Sequence, residues 1–143
     1  MKQTILSGLS AVIVVFISGC STVEPAMHYG KTPLSNYKSA YVAFATDTTI
    51  GEYIEADLAR RGVKVSIGPL RDKPQDVACY VVYTDHWNWD LAMYLDSLDI
   101  QFFDNSTGQM IASGSFRNSK VMESFPNPRK KTFEVVDSIY NSK

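Results

Sequence analysis

The chain has 143 residues, with 14 Lys and Arg against 15 Asp and Glu and a formal net charge of −1. That near-balance excludes a nonspecific nucleic-acid binder. The length suits one modest core, and two cysteines leave no room for a disulfide-stapled scaffold.

Residues 1–20 come first and stand apart. Lys2 supplies a positive start, residues 5–17 form an uncharged apolar run, and Ser18-Gly19-Cys20 closes on small residues. This is the pattern of a secretory signal, and the run is too short for a transmembrane span of roughly 20 residues. Ile17-Ser18-Gly19-Cys20 resembles the bacterial lipobox. The resemblance implies lipidation of the Cys20 thiol, cleavage after residue 19, and anchoring by several acyl chains, each buried CH₂ contributing about 0.8 kcal/mol. Ser21, rather than Asp, follows the cysteine, which by resemblance to enterobacterial lipoproteins implies the outer membrane. Removing residues 1–19 takes away one cation, Lys2, and leaves a side-chain balance of −2. With Cys20 lipidated, Cys79 has no disulfide partner, and its apolar setting, Val77-Ala78-Cys79-Tyr80-Val81-Val82, makes it a small buried hydrophobe.

The expected organisation is a signal peptide over 1–19, a lipidated cysteine and flexible tether over 20–37, and one periplasmic domain over 38–143. Pro25, Gly30 and Pro33 among polar residues define the tether. Residues 39–45 read as a buried strand. Thr49 and Glu52 match a capping box, with Ile50, Ile54 and Leu58 on one helix face and Gly62 placed to end it. Val63, Val65 and Ile67 alternate with polar residues as a second strand, so the first three elements make a crossover. Residues 69–75 are a loop. From Val77 a long extended stretch begins, apolar on both faces at first and on one face later. Leu98, Ile100 and Phe102 start another strand, Asp104 to Gly108 turns, and Met110 to Phe116 returns as its partner. Asn127 and Pro128 read as an N-cap and first-turn proline, opening a helix with Phe133, Val136, Ile139 and Tyr140 on its apolar side. The expected fold is α+β, written β-α-β-β-β-α, with a mixed, mostly antiparallel sheet and helices packed on one face.

Chemistry-bearing motifs are sparse. His86, Asn88 and Asp90 share a strand face, but same-face neighbours sit ~7 Å apart and do not converge on one ion. There is no nucleophile elbow, P-loop or dinucleotide fingerprint. A Ser/His/Asp triad would have to draw on His86, since His28 falls in the tether, and a carboxylate pair would come from Asp85, Asp90, Asp96 and Asp99. No cofactor, no metal site and no catalytic residue is expected. Two features favour binding instead. Trp87 and Trp89 share one face, either as packing or as an aromatic platform. Arg129, Lys130 and Lys131 follow a stretch from Pro74 to Phe116 that holds six aspartates and no cation, and they stand at a helix start, where the dipole disfavours positive charge. They serve either as solvated or paired side chains or as a site for an anionic partner.

Trp89-Asp90, Tyr94-Leu95, Asp104, Thr107-Gly108 and Ala112-Ser113-Gly114 resemble a motif set of small uncharacterised proteobacterial lipoproteins. The resemblance covers about half of the mature chain. It implies a strand–helix–strands–helix domain in the cell envelope, without an established activity. The expected function is a non-enzymatic binding or accessory module, lipid-anchored at the outer membrane and facing the periplasm, with an envelope protein as partner. The alternatives are a surface-exposed lipoprotein in adhesion or exclusion, and a small cell-wall hydrolase.

Overall fold

The computed structural model describes residues 22–119 and 125–142, so the signal segment and Cys20 lie outside the described residues. Within it seven strands make one sheet: β1 (Thr22–Val23), β2 (Met27–His28), β3 (Ser39–Phe44), β4 (Lys64–Pro69), β5 (Cys79–Asp90), β6 (Ala92–Asp104) and β7 (Met110–Arg117). Helix α1 (Thr49–Arg60) follows β3, and helix α2 (Pro128–Asn141) follows β7. The strand order is β1-β7-β6-β5-β3-β4, with β2 also on the free side of β7. β3 runs parallel to β4 and β5, and the remaining pairs are antiparallel. The α+β class and mixed, mostly antiparallel sheet hold. Four strands separate the two helices, the same four that the sequence names in chain order and one more than the β-α-β-β-β-α formula counts.

The core lies between the two helices and one sheet face. Ala40, Val42, Val81, Leu98, Ile100, Phe102, Ala112 and Phe116 project from the strands and are buried. Ile50, Ile54 and Leu58 meet them from α1, and Val135, Val136 and Ile139 from α2. Gly114 permits the close approach of α2, since a Cβ there would lie 2.7 Å from Ile139 Cγ1. The period-3.6 apolar face of α1 is the one read from sequence. On α2 the buried face is Thr132, Val135, Val136 and Ile139, while Phe133 and Tyr140 flank it.

The helix starts show how capping is decided locally. At α2 the Asn127 side chain accepts the Lys130 amide at 3.0 Å, with Pro128 in the first turn, as the sequence predicts. At α1 the capping box on Thr49 is corrected. Thr49 is already helical, Asp47 accepts its amide at 2.6 Å, and the Thr48 hydroxyl donates to Glu52 at 2.9 Å. Three capping-type residues in succession compete there, and the charged acceptor takes the amide. Gly62 ends α1 in the left-handed region at φ +81, its amide bonding to Ala59.

Residues 22–37 depart most from expectation. Instead of a flexible tether, the chain from Thr22 runs down the outer edge of β7. Thr22 faces Arg117, Val23 faces Phe116, Met27 faces Ser113 and His28 faces Ala112. Tyr29 and Gly30 then give their amides to the Ile111 carbonyl, and Leu34 is buried. The edge of β7 offers unpaired backbone groups, and covering it with short pieces satisfies them without a long strand.

Candidate functional site

The β5–β6 hairpin is the longest feature of the sheet. Its register runs from Cys79 facing Asp104 to Asp90 facing Ala92, leaving Leu91 as the single residue at the bend. Between His86–Ser97 and Trp87–Leu95 the register slips by one, so Asp96 is a bulge residue. That bulge divides the hairpin. Below it β5 lies between β3 and β6, and β6 lies between β5 and β7. Above it the two strands pair with each other alone among the described residues, and form an arm.

The two tryptophans part company on this arm. Trp87 packs against the core, and its indole N–H donates to Asp85 Oδ2 at 2.6 Å. Trp89 is 70% exposed, and Met93 directly opposite is 57% exposed. Leu91 at the bend is 87% exposed and holds φ +60. On the reverse side of the arm, Phe125 meets Tyr94 edge-on at 5.6 Å, and Asn88 and Asp90 face solvent.

The basic residues occupy a different place, in the first turn of α2. Lys131 pairs with Glu134 at 2.7 Å and lies over the Phe116 ring at 5.6 Å. Lys130 reaches the same carboxylate at 3.9 Å. Arg129 stacks on Phe133 at 5.3 Å, and Arg60 of α1 lies 4.8 Å from that ring's centroid. Arg60 and Arg61 both bind Asp57, which is fully buried, Arg61 through Nε at 2.7 Å and onward to Asp137 at 3.1 Å. The result is an open cleft of about 510 Å³ between the helices, lined by Arg60, Asn127, Arg129, Lys130 and Phe133 among others. Sequence reading found Arg129 and Lys130 but missed Arg60, since nothing in α2 announces the neighbour across it; it also missed the pairing with Phe133, although the i,i+4 spacing on α2 signals it. The sequence carries two more charges between β7 and α2, Lys120 and Glu123, which lie outside the described residues.

The carboxylates do not assemble. Asp85 holds Trp87, Asp99 pairs with Arg117 at 2.8 Å, Asp90 is exposed at the bend, and Asp96 sits in the bulge with one buried oxygen that has no partner among the described residues. Among the described residues no three His, Cys, Asp or Glu side chains come close enough to hold a metal ion. Cys79 is buried, donates its thiol to the Ser39 carbonyl at 3.5 Å, and burial pushes its pKa up to about 12. At the far end of the hairpin, Asp104 organises the turn. Its carboxylate accepts the Ser106 hydroxyl at 2.6 Å, the Thr107 amide at 2.9 Å and the Tyr37 hydroxyl at 3.0 Å. These bonds, that of Ser106 foremost, hold the carboxyl far below the usual carboxylate range.

No protein-family model matches the chain, and no curated protein matches it in sequence. Solved structures do resemble it. The PelC dodecamer from Paraburkholderia phytofirmans aligns over 80% of this chain and 97% of its own, at 13% identity and a TM-score of 0.59. A single-substitution form of the same protein gives 15% identity and a TM-score of 0.58 over 79% and 96%. A PDZ domain protein from Parabacteroides distasonis aligns over 82% of this chain but 35% of its own, at 13% identity and a TM-score of 0.51. At such identities the likeness is one of fold alone. A minor lipoprotein from Acinetobacter baumannii, at 14% identity and a TM-score of 0.33, carries no argument.

Proposed function

We propose that the chain is a lipoprotein, cleaved after residue 19 and lipidated at Cys20. Its domain would be a non-enzymatic binding module of the cell envelope, held at the outer membrane and facing the periplasm. Its partner is a protein that presents an acidic segment to the cleft between α1 and α2. The observation that carries this reading is the stack of Arg60, Phe133 and Arg129. Two guanidinium groups share one ring, and Lys130 stands beside them. Arg60 already gives one donor to Asp57; the remaining donors of the two guanidinium groups can meet carboxylates, while the ring supplies apolar area. Arg and aromatic residues are also those that dominate protein interfaces.

The test is cross-linking in living cells with a tagged chain and an Arg60→Glu/Arg129→Glu variant. One partner captured by the first and lost by a folded variant supports the reading. Equal capture by both removes the cleft from the interface. The anchor is tested separately: Cys20→Ala leaves an uncleaved precursor, and normal processing in that variant contradicts lipidation. Surface display is tested by protease added to intact cells, where cleavage without permeabilisation would place the domain outside.

A second reading is self-association. The PelC neighbour is a dodecamer, and the outer edge of β4 here has no strand beside it among the described residues. Analytical ultracentrifugation of the detergent-solubilised protein decides it, a monomer at micromolar concentration arguing against.

A further inference from the structure

The distal arm breaks two local rules at once. Trp89, Leu91 and Met93 put three large apolar side chains in solvent on adjacent positions of one hairpin end. Leu91 also occupies the left-handed backbone region, where a bulky side chain is disfavoured and Gly or Asn is the usual occupant. A bend selected for folding alone has no need of leucine there.

The course of the chain says what faces this end. β6 runs from the bend at Leu91 to Ser97, where Ser97 pairs with Arg117, and Arg117 in turn pairs with Thr22. Thr22 therefore stands at the same end of the sheet as the arm. From there the chain runs the other way, toward Met27 and His28. Cys20 is two residues before Thr22 and so within ~7 Å of it. The bend is six residues beyond Ser97, or ~20 Å at a strand's rise. Cys20 is thus near enough to the arm's end of the sheet for one membrane to meet both the lipid and the arm.

We infer that the arm is a second membrane contact, in which Trp89, Leu91 and Met93 enter the interfacial layer of the bilayer that holds the Cys20 lipid. The inference rests on the lipid-anchor reading above and adds to it an orientation for the domain. Trp89 and Met93 share one face of the arm, while Asn88 and Asp90 occupy the other. The arm therefore lies inclined, its apolar face toward the acyl chains and Asp90 toward water. Tryptophan suits such a boundary, with a large ring and one N–H to leave among the headgroups. Apolar faces of this kind bury ~5–10 Å into the headgroup and acyl boundary. One acyl-anchored point leaves a domain free to swivel, and a second point fixes which faces meet the periplasm, the α1–α2 cleft among them.

The chain's two tryptophans make the test direct. Full-length lipidated protein carrying Trp87→Phe, with Trp89 as its sole indole, is reconstituted into zwitterionic phospholipid vesicles with or without brominated acyl chains. The expected result is flotation with the vesicles and loss of half or more of the Trp89 emission to the bromine. Adding Leu91→Glu and Met93→Glu should abolish that loss while flotation persists. Flotation with a red, unquenched Trp89 overturns the inference and leaves the anchor standing. Flotation with blue-shifted emission that bromine does not quench assigns the patch to a protein, a second copy included, and also overturns it. Failure to float defeats the lipid anchor and the inference together. The Trp89→Phe protein, with Trp87 alone, gives the quenching of a ring packed against the core. If Trp87→Phe does not fold, the wild-type protein compared with Trp89→Phe gives the same reading by difference.

Discussion

The two ends of the β5–β6 hairpin are made of similar residues and have opposite fates. Below the Asp96 bulge, Val81, Leu98, Ile100 and Phe102 are wholly buried between strands and helices. Above it, Trp89, Leu91 and Met93 are as apolar and stand in solvent. The difference lies in what surrounds them: the lower half has strands beside it and two helices across it, and that cover ends at Leu95 and Trp87, short of the tip. Hydrophobicity along a strand therefore does not report burial; the neighbours do. An exposed apolar cluster beside a well-covered one is the more informative of the two.

The comparison is broken most severely at Phe102. It is wholly buried, and the Tyr140 ring meets it edge-on at 6.4 Å. Phe102→Ala should destabilise the protein by about 3–5 kcal/mol, read as a shift in urea midpoint with an unchanged slope. A loss comparable to that of a surface substitution would mean the lower half is not the core. A change of opposite kind comes next. Gly114→Ala pushes a methyl into Ile139 and Val135, and should cost about 1–3 kcal/mol by overpacking the contact between β7 and α2.

The pH dependence comes from the turn at the buried end of the hairpin. Asp104 is held below its ordinary pKa by the Ser106 hydroxyl and the Thr107 amide. A depressed folded-state pKa means that its contribution is complete above the unfolded value, about 3.9, and is lost as pH falls through the folded one. Asp104→Asn should cost about 1 kcal/mol at neutral pH. It should also flatten the decline in stability below pH ~4, where Asp104 of the unfolded wild-type chain takes up a proton that the folded carboxylate still refuses. Chemical unfolding at neutral and at acid pH checks both. An equal acid decline in the two proteins would show that Asp104 does not drive it.

How much of this was legible follows from the same division. The core strands, both helices, the Asp104 turn and the Asn127 cap carry strong local signals: alternation, a period near 3.6, capping and turn residues. The first half of β6 carries none. Leu95 and Leu98 both face the core although three residues apart, because the bulge inserts Asp96 between the two paired runs. A period-two reading breaks there and starts the strand late, at Leu98. The edge segment was hidden for another reason. Two-residue strands such as Thr22–Val23 and Met27–His28 have no periodicity to read, and Pro25, Gly30 and Pro33 speak for a loop. Of the candidate residues, Trp87 and Trp89 looked equivalent, sharing a face at a spacing of two. What separates them is the point where the covering elements stop, which is a fact of tertiary structure. Of the Arg60–Phe133–Arg129 stack, the Arg129–Phe133 half is an i,i+4 pair within α2 and was legible, while Arg60 comes from α1 and leaves no trace in the sequence of α2.

The smallest effects on stability belong to the arm, and they sharpen the comparison most. Trp89→Ala should move the unfolding free energy by no more than about 0.5 kcal/mol, since a ring already in solvent has little burial to lose. Leu91→Gly should go further and raise stability, by up to about 1 kcal/mol. Glycine adopts φ +60 without the steric penalty that leucine meets there, and this gain exceeds the loss from its greater freedom in the unfolded chain. A core leucine replaced by glycine would be ruinous; at the bend the folded domain should be the better for it. If urea unfolding instead shows Leu91→Gly to be destabilising by 1 kcal/mol or more, the leucine is packed against the domain. The arm is then part of the fold rather than an extension from it. If the variant is at least as stable as the wild type yet holds its vesicle-bound Trp89 less deeply, the leucine is kept for what it touches outside the molecule, at the expense of the molecule's own stability.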